Sequence, residues 1–333
     1  MTTILLAFPP EARRNYYGED ALARLRRLGE VRLNPSDGVL GTPDLIDAAC
    51  GCEVIIADRQ TPGDAELFRN MPDLVAFARC AIDIRNVDVA AASQNGILVT
   101  RASAGFIASV AEWIIGAMID VGRRISAASE SYHAGKMPVP AMGRELKGST
   151  LGVIGYGQIG RYLCDLCLGF GMRVVVADPH AKVANPRVTK LDLAELLADS
   201  DFVVCLAPAT ADTENLMNAQ AFAKMKPTAF FINASRGELV DEAALADALD
   251  AGRLAGCALD VGRAPDQMPA PALARHPKVL ATPHVGGLTP PAVAHQALET
   301  VAQVDEILQG RCPAGAVNAE HALRLARMRR SSA

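Results

Sequence analysis

Three side chains able to move a proton or hold a carboxylate each stand at the end of a short apolar run. Arg236 follows Phe230-Phe231-Ile232-Asn233, Asp260 closes Gly256-Cys257-Ala258-Leu259, and His284 follows Val279-Leu280-Ala281-Thr282. A histidine exchanges protons near neutral pH. An arginine grips a carboxylate through two parallel N–H···O bonds and polarises a neighbouring carbonyl. An aspartate accepts hydrogen bonds, for instance from a carboxamide. Together they suit hydride transfer at a carbon that carries a hydroxyl or carbonyl next to a carboxylate. Taken singly, Arg236 also reads as a surface ion pair and His284 as a capped loop histidine. Their shared position, just past predicted strands, favours chemistry. His133, His180, His276, His295 and His321 have no such setting.

Hydride chemistry needs a carrier, and the chain has a place for one. Gly155-Tyr156-Gly157-Gln158-Ile159-Gly160 follows the apolar run Leu151-Gly152-Val153-Ile154 and precedes a predicted helix from Ile159 to Phe170. Gly155 permits a tight turn, Gly157 lets the backbone approach a pyrophosphate, and Gly160 lets the helix pack against the sheet. The N–H groups at the helix start then face the phosphates. Asp178 ends the next apolar run, Arg173-Val174-Val175-Val176-Ala177, where it can accept from both ribose hydroxyls and repel a 2′-phosphate. NAD is therefore the expected cofactor, rather than NADP.

The elements that must position these groups are strands and helices in alternation. Ile4–Phe8, Val54–Ala57, Leu74–Ala78 and Ile97–Thr100 read as buried strands, with helices at Ala21–Leu28 and Asp88–Asn95 among those between them. An unbroken helix is expected from Ala108 to Ala134, apolar enough at Val110, Trp113, Ile114, Ala117, Met118, Val121 and Ile125 to need burial on more than one side, by interdomain or dimer packing, with Trp113 in the core. Residues 136–147 read as a loop. Six parallel strands are expected between Leu151 and His284, and Pro290-Pro291 opens a last helix to Leu308.

Composition removes several classes. The net charge is −4 with no basic stripe, so no nucleic-acid partner is expected; Arg324, Arg327, Arg329 and Arg330 read as a solvated tail. No apolar run approaches the roughly 20 residues of a membrane span, and the short apolar start lacks a cationic lead, so neither membrane nor signal peptide is expected. Cys50-Gly51-Cys52 is too tight for a usual metal pair, and Cys164 and Cys167 have no second pair at zinc spacing. Reduced thiols, no metal and a cytoplasmic location are expected.

These features together resemble the D-isomer-specific 2-hydroxyacid dehydrogenases. The resemblance is carried by Ser109-Val110-Ala111-Glu112 and by residues 151–161, 230–245, 258–261 and 282–287, and it spans nearly the whole chain. It implies an α/β fold of two Rossmann-like, doubly wound parallel-sheet domains, with the cofactor domain inserted into the substrate domain. Residues 1–103 would begin the substrate domain, 104–287 form the NAD-binding domain, and 288–333 return to the substrate domain as a C-terminal helix. The implied activity is NAD-dependent interconversion of a small 2-hydroxy acid and its 2-oxo acid, bound in the cleft between domains of a homodimer. Arg236 would bind the carboxylate and His284 act as acid and base. Gly155, Tyr156, Gly157, Gln158, Ile159, Gly160, Asp178, Pro208, Thr213, Ala234, Arg236, Asp260, His284 and Gly286 would border NAD, and Ala81, Ile82, Asp83 and Arg236 the substrate. A formate- or phosphite-type dehydrogenase, or a cofactor-sensing binding protein like the corepressors similar to this family, is the alternative.

The chain departs from the family pattern in three places. The glutamate usually paired to the histidine is missing from Gly262-Arg263-Ala264-Pro265-Asp266-Gln267-Met268-Pro269, where Asp266 or Gln267 could replace it, as a glutamine does in formate dehydrogenases of this family. Without a carboxylate partner, His284 would more often be neutral, which suits hydroxyl oxidation. In the substrate loop, Ala81 and Asp83 stand where glycines are expected. Either Arg79 or Arg85 neutralises Asp83, or the substrate carries an added hydroxyl or cationic group, or Asp83 points away. Leu206 replaces a histidine common in the cofactor loop, with little expected effect.

Overall fold

The computed structural model describes residues 2–330. By its contacts the chain divides into two compact units, one made of residues up to Phe106 with those from Leu288 onward, the other of Ile107–Gly287.

In the first unit, β1 (Thr3–Leu6), β2 (Glu30–Leu33), β3 (Val54–Ala57), β4 (Ala76–Arg79) and β5 (Leu98–Arg101) form a parallel sheet in the order β2-β1-β3-β4-β5. Successive side chains on a strand face opposite ways. Ile4, Leu6, Val54 and Ile56 therefore enter one core, while Leu5, Ile55 and Phe77 enter another. With both faces covered, the inner strands read as continuous apolar runs. Strand β2 escaped the sequence reading because it is an edge strand. Glu30 and Arg32 are exposed while Val31 and Leu33 are partly covered, so its run is broken by charge.

The helix Pro290–Leu308 closes one face of this sheet. Its first-turn prolines sit where N–H groups have no helical partner. Ala297, Val301, Val304 and Ile307 enter the core with Ile4 and Leu6, each valine or isoleucine contributing about 1.5–3 kcal/mol by burial. The arginine-rich end is not a solvated tail throughout. Arg324 donates to the carbonyls of Met71 and Leu74, and Arg327 to that of Pro72, because the 71–74 turn leaves those carbonyls without sheet partners. The side chains of Arg329 and Arg330 lie outside the described residues.

The second unit holds seven parallel strands, not six: β6 (Thr150–Ile154), β7 (Arg173–Ala177), β8 (Val188–Lys190), β9 (Phe202–Cys205), β10 (Phe230–Asn233), β11 (Gly256–Leu259) and β12 (Val279–Ala281), in the order β12-β11-β10-β9-β6-β7-β8. The additional strand, β8, is a three-residue edge that buries only Val188 and leaves no apolar run to detect. The direction of strand addition reverses between β6 and β9, and ligands of such sheets bind beyond the carboxyl ends at that point.

The helix expected to run unbroken to Ala134 is two, Ile107–Arg123 and Ile125–His133. Arg124 breaks it at φ 56°, and the Asp120 carboxylate accepts the N–H of Ser126, which the break leaves without a carbonyl. Ile125 keeps the apolar period across the break, which hid it. The first helix packs on the helix Gln158–Gly169 and on β10, β11 and β12 of its own unit. Trp113 is half-buried rather than core. Cys164 and Cys167 are buried on Gln158–Gly169, and burial pushes both thiols up to about 12, so they act as packing groups. Among the described residues no helix is long and apolar enough to cross a membrane.

Candidate active site

Parallel strands present all their carboxyl ends on one rim. Across the rim of the seven-stranded sheet, strand order gives the His284 loop after β12, Asp260 after β11, Arg236 after β10, Leu206–Pro208 after β9, the glycine loop after β6 and Asp178 after β7. Neighbouring strands lie about 4.8 Å apart. The proton-handling groups are thus adjacent to one another on one side of the glycine loop, with Asp178 on the other.

The glycine loop needs its glycines for different reasons. Gly155 adopts φ 99°, and a Cβ there would stand 2.7 Å from the Ala207 nitrogen. A Cβ on Gly160 would stand 2.4 Å from the Gly155 carbonyl oxygen, so the helix can approach the loop only without one. Around Gly157 a Cβ would meet nothing within 4 Å, which leaves open space before the helix Gln158–Gly169, whose N-terminus carries no side-chain cap. Open space beside uncapped N–H groups fits a dinucleotide pyrophosphate. Tyr156 is buried, with the Arg161 guanidinium 5.3 Å over its ring, while Gln158 is exposed and Ile159 half-buried.

Asp178 is fixed by its neighbours. Its Oδ2 accepts from Tyr156 N at 2.8 Å, and its Oδ1 from His180 N and Ala181 N at 2.9 Å. Burial alone would raise its pKa, but these three donors hold the carboxyl below the usual range. A carboxylate has about four acceptor positions, so about one remains for a ribose hydroxyl.

Arg236 rides on a loop built by Asn233. The buried Asn233 carboxamide accepts from Ser235 N at 3.1 Å and donates to the Arg236 carbonyl at 2.9 Å. Arg236 Nη1 donates to the Ser235 carbonyl at 2.7 Å, and the Ser235 hydroxyl donates to the Ala207 carbonyl. Ala234 and Arg236 are half-buried, and Pro208 is exposed. Thr213 closes its own turn, accepting from Thr210 N at 2.8 Å and donating to the Pro208 carbonyl at 2.7 Å.

His284 is half-buried and sits at φ 56°, a left-handed conformation costing about 1–2 kcal/mol in a residue with a side chain. Asp260, 3% exposed, holds the loop in that shape. Its Oδ1 accepts from the Thr282 hydroxyl at 2.6 Å and Val285 N at 2.8 Å, and its Oδ2 from Gly286 N at 2.7 Å. The sequence placed Asp260 on the cofactor; its three bonds to the flanks of His284 could not be read without the fold. Gly286 is required by this packing, since a Cβ would stand 2.8 Å from Asp260 Oδ2.

The segment Gly262–Pro269, in which Asp266 or Gln267 was the candidate to replace the missing glutamate, folds back on itself through Gly262 N to the Gln267 carbonyl at 2.9 Å and Ala264 N to the Met268 carbonyl at 3.0 Å. Gln267 adopts φ 57°, and its side-chain oxygen is buried with no hydrogen-bond partner among the described residues. The Asp266 side chain lies outside the described residues.

Ala81, Ile82 and Asp83 belong to the other unit and are half-buried in the turn after β4. Arg85 pairs with Asp83 there, Nη2 to Oδ2 at 2.9 Å and Nε to both oxygens at 3.1 Å. The charge of Asp83 is thus matched locally by Arg85. Arg79 is fully buried, its Nη2 donating to the Thr61 carbonyl and to Asn86 Oδ1, and burial, opposed by nearby Asp58 and Asp83, lowers it to about 10.

Comparison with known proteins places this architecture. The model of the D-isomer specific 2-hydroxyacid dehydrogenase, NAD binding domain, matches residues 115–286. The chain belongs to that family, and its second unit is an NAD-binding domain. It is 33% identical over 305 residues to a D-3-phosphoglycerate dehydrogenase of Archaeoglobus fulgidus, covering 90% of this chain and 57% of that protein. A hydroxypyruvate reductase of Thermotoga maritima is 32% identical over 257 residues, covering 76% of this chain and 83% of that one. The TT0316 protein from Thermus thermophilus superposes with a TM-score of 0.85 at 30% identity, covering 95% of this chain and 100% of that chain. The chain spans about half the length of the D-3-phosphoglycerate dehydrogenases it matches.

Proposed function

We propose that the protein is an NAD-dependent dehydrogenase that interconverts a small 2-hydroxy acid and its 2-oxo acid. One observation carries the reading: neighbouring strands β10, β11 and β12 deliver Arg236, Asp260 and His284 to the same rim as the glycine loop. Arg236 forks the substrate carboxylate and draws electrons from the adjacent carbonyl. His284 gives a proton to the carbonyl oxygen in reduction and takes it from the hydroxyl in oxidation. Asp260 holds the backbone that aims the imidazole. Bound NAD supplies the nicotinamide that accepts or donates the hydride. The residues that would hold it are the glycine loop, the helix N-terminus at Gln158 and Asp178. The ionised Asp178 supports NAD over NADP, because a 2′-phosphate would meet a fixed negative charge.

Two further features belong to the proposal. Met137, Val139 and Met142 are 81%, 87% and 100% exposed in the stretch that follows the helix Ile125–His133, itself bearing exposed Ile125 and Tyr132; so many exposed apolar side chains in one stretch of chain support a homodimer formed through this unit. All eight cysteines are free thiols, which suits a reducing cytoplasm.

The test is a panel of 2-oxo acids with NADH and NADPH, including hydroxypyruvate, read by absorbance. Wild type should oxidise NADH with at least one acid. Arg236→Ala should raise KM about 100-fold, the loss of two bonds to a charged group at about 1.5 kcal/mol each. His284→Ala should lower kcat about 100-fold or more. Turnover with no acid and either cofactor, or an Arg236→Ala variant with wild-type kinetics, would refute the proposal.

A further inference from the structure

Arg263 takes no part in the chemistry above, yet its side chain reaches the Arg236 loop. Its Nη2 donates to Glu214 Oε1 at 2.8 Å, Asn215 Oδ1 at 2.7 Å and the Glu238 carbonyl at 2.9 Å. Its Nε donates to the Val240 carbonyl at 3.2 Å, and its backbone N–H to Glu242 Oε1 at 2.9 Å. These partners fall on two stretches. Glu214-Asn215 follows the turn that Thr213 ties to Pro208, and Glu238–Glu242 begins just beyond Arg236.

The same stretches are already laced by backbone, Asn215 N to the Glu238 carbonyl and Met217 N to the Leu239 carbonyl, both at 2.9 Å. Asn215 adopts φ 50°, a left-handed conformation that asparagine tolerates, and its side-chain oxygen accepts from Arg263. Arg263 also adjoins a close approach of backbone to backbone, where a Cβ on Gly237 would lie 2.2 Å from the Gly262 carbonyl. The guanidinium donates from two nitrogens, Nη2 towards Glu214, Asn215 and Glu238 and Nε towards Val240; an ammonium has one donor nitrogen and cannot reach both sets.

We propose that Arg263 is a positioning residue that locks the Pro208–Asn215 turn and the Arg236 loop into one body, keeping the carboxylate-binding guanidinium in register with the cofactor-side turn. The role of Arg236 rests on the function proposed above. The lock itself does not.

Amide hydrogen exchange and saturation kinetics on wild type, Arg263→Ala, Arg263→Lys and Glu214→Gln test it. In Arg263→Ala, exchange at 215–217 and 237–242 should quicken about tenfold, and KM for the 2-oxo acid should rise about tenfold, the equivalent of one charge-assisted bond. NADH affinity and kcat should stay within about threefold of wild type. Arg263→Lys should recover part of the KM, since it keeps charge without the fork, and Glu214→Gln should fall between. A plain surface ion pair contributes little; it leaves exchange and KM of Arg263→Ala at wild-type values, and that result overturns the proposal. Should Arg263→Ala fail to fold, unchanged exchange in both Arg263→Lys and Glu214→Gln overturns it equally. If wild type turns over no 2-oxo acid, the functional reading falls while the exchange data still decide whether Arg263 holds the two stretches.

Discussion

Replacing Asp260 with asparagine tests whether a buried carboxylate sets the conformation of His284. The carboxylate takes three donors, two on Oδ1 and one on Oδ2. An asparagine keeps one acceptor oxygen for Thr282 and Val285, and turns an NH2 group towards the N–H of Gly286. One charge-assisted bond is lost and a buried donor is left facing a donor, which together cost about 2–4 kcal/mol. The loop also loses what holds His284 at φ 56°, and a displacement of about 1 Å at a reacting group costs about 100-fold. Trp113, the single tryptophan, would lie 3.7 Å from a Cβ on Gly286, so its fluorescence reports urea unfolding of this unit directly. Asp260→Asn should unfold at lower urea, equivalent to about 2–4 kcal/mol, with kcat/KM down about 100-fold and NADH affinity changed far less. His284→Gly should be about 1 kcal/mol more stable than His284→Ala, since glycine enters the left-handed region without strain. If Asp260→Asn unfolds with the wild type and instead loses NADH affinity, Asp260 serves the cofactor and the reasoning about the loop is wrong.

Two other outcomes follow from the cofactor side. Asp178 has a depressed folded pKa, so its stabilising contribution is complete above its unfolded value of about 3.9 and is lost as pH falls through the lower folded value. The Tm gap between wild type and Asp178→Asn should therefore hold steady from about pH 8 to 5.5 and close below about pH 4; a gap unchanged at pH 3 would contradict it. Gly160→Ala places a Cβ 2.4 Å from the Gly155 carbonyl oxygen. It should destabilise this unit by about 1–3 kcal/mol and weaken NADH binding, measured by NADH fluorescence, whereas wild-type affinity would show that the helix can retreat freely.

The features legible in the sequence were those with one physical solution. Gly155 and Gly160 are dictated by a positive φ and a backbone contact; Arg236 and Asp260 stand out because they follow the inner strands β10 and β11, and His284 because the edge strand before it, β12, is still wholly apolar. Strands β2 and β8 are edges with mixed polarity and left no such run. The break at Arg124 was masked because Ile125 continues the helical period. The bonds of Asp260 and Arg263 join residues brought together only when β9, β10, β11 and β12 align, so no spacing announces them. Asp83 is one case where sequence left three answers open, and the pairing with Arg85 supports local neutralisation.

The most direct measurement follows the hydride. Wild-type protein is given NADH deuterated at the transferable C4 position with the 2-oxo acid it turns over best, and the product is analysed by mass spectrometry and chiral chromatography. The product should be a D-2-hydroxy acid carrying one deuterium at C2, formed at least about 100-fold more slowly by His284→Ala. Product without deuterium at C2, or of the L configuration, would contradict it.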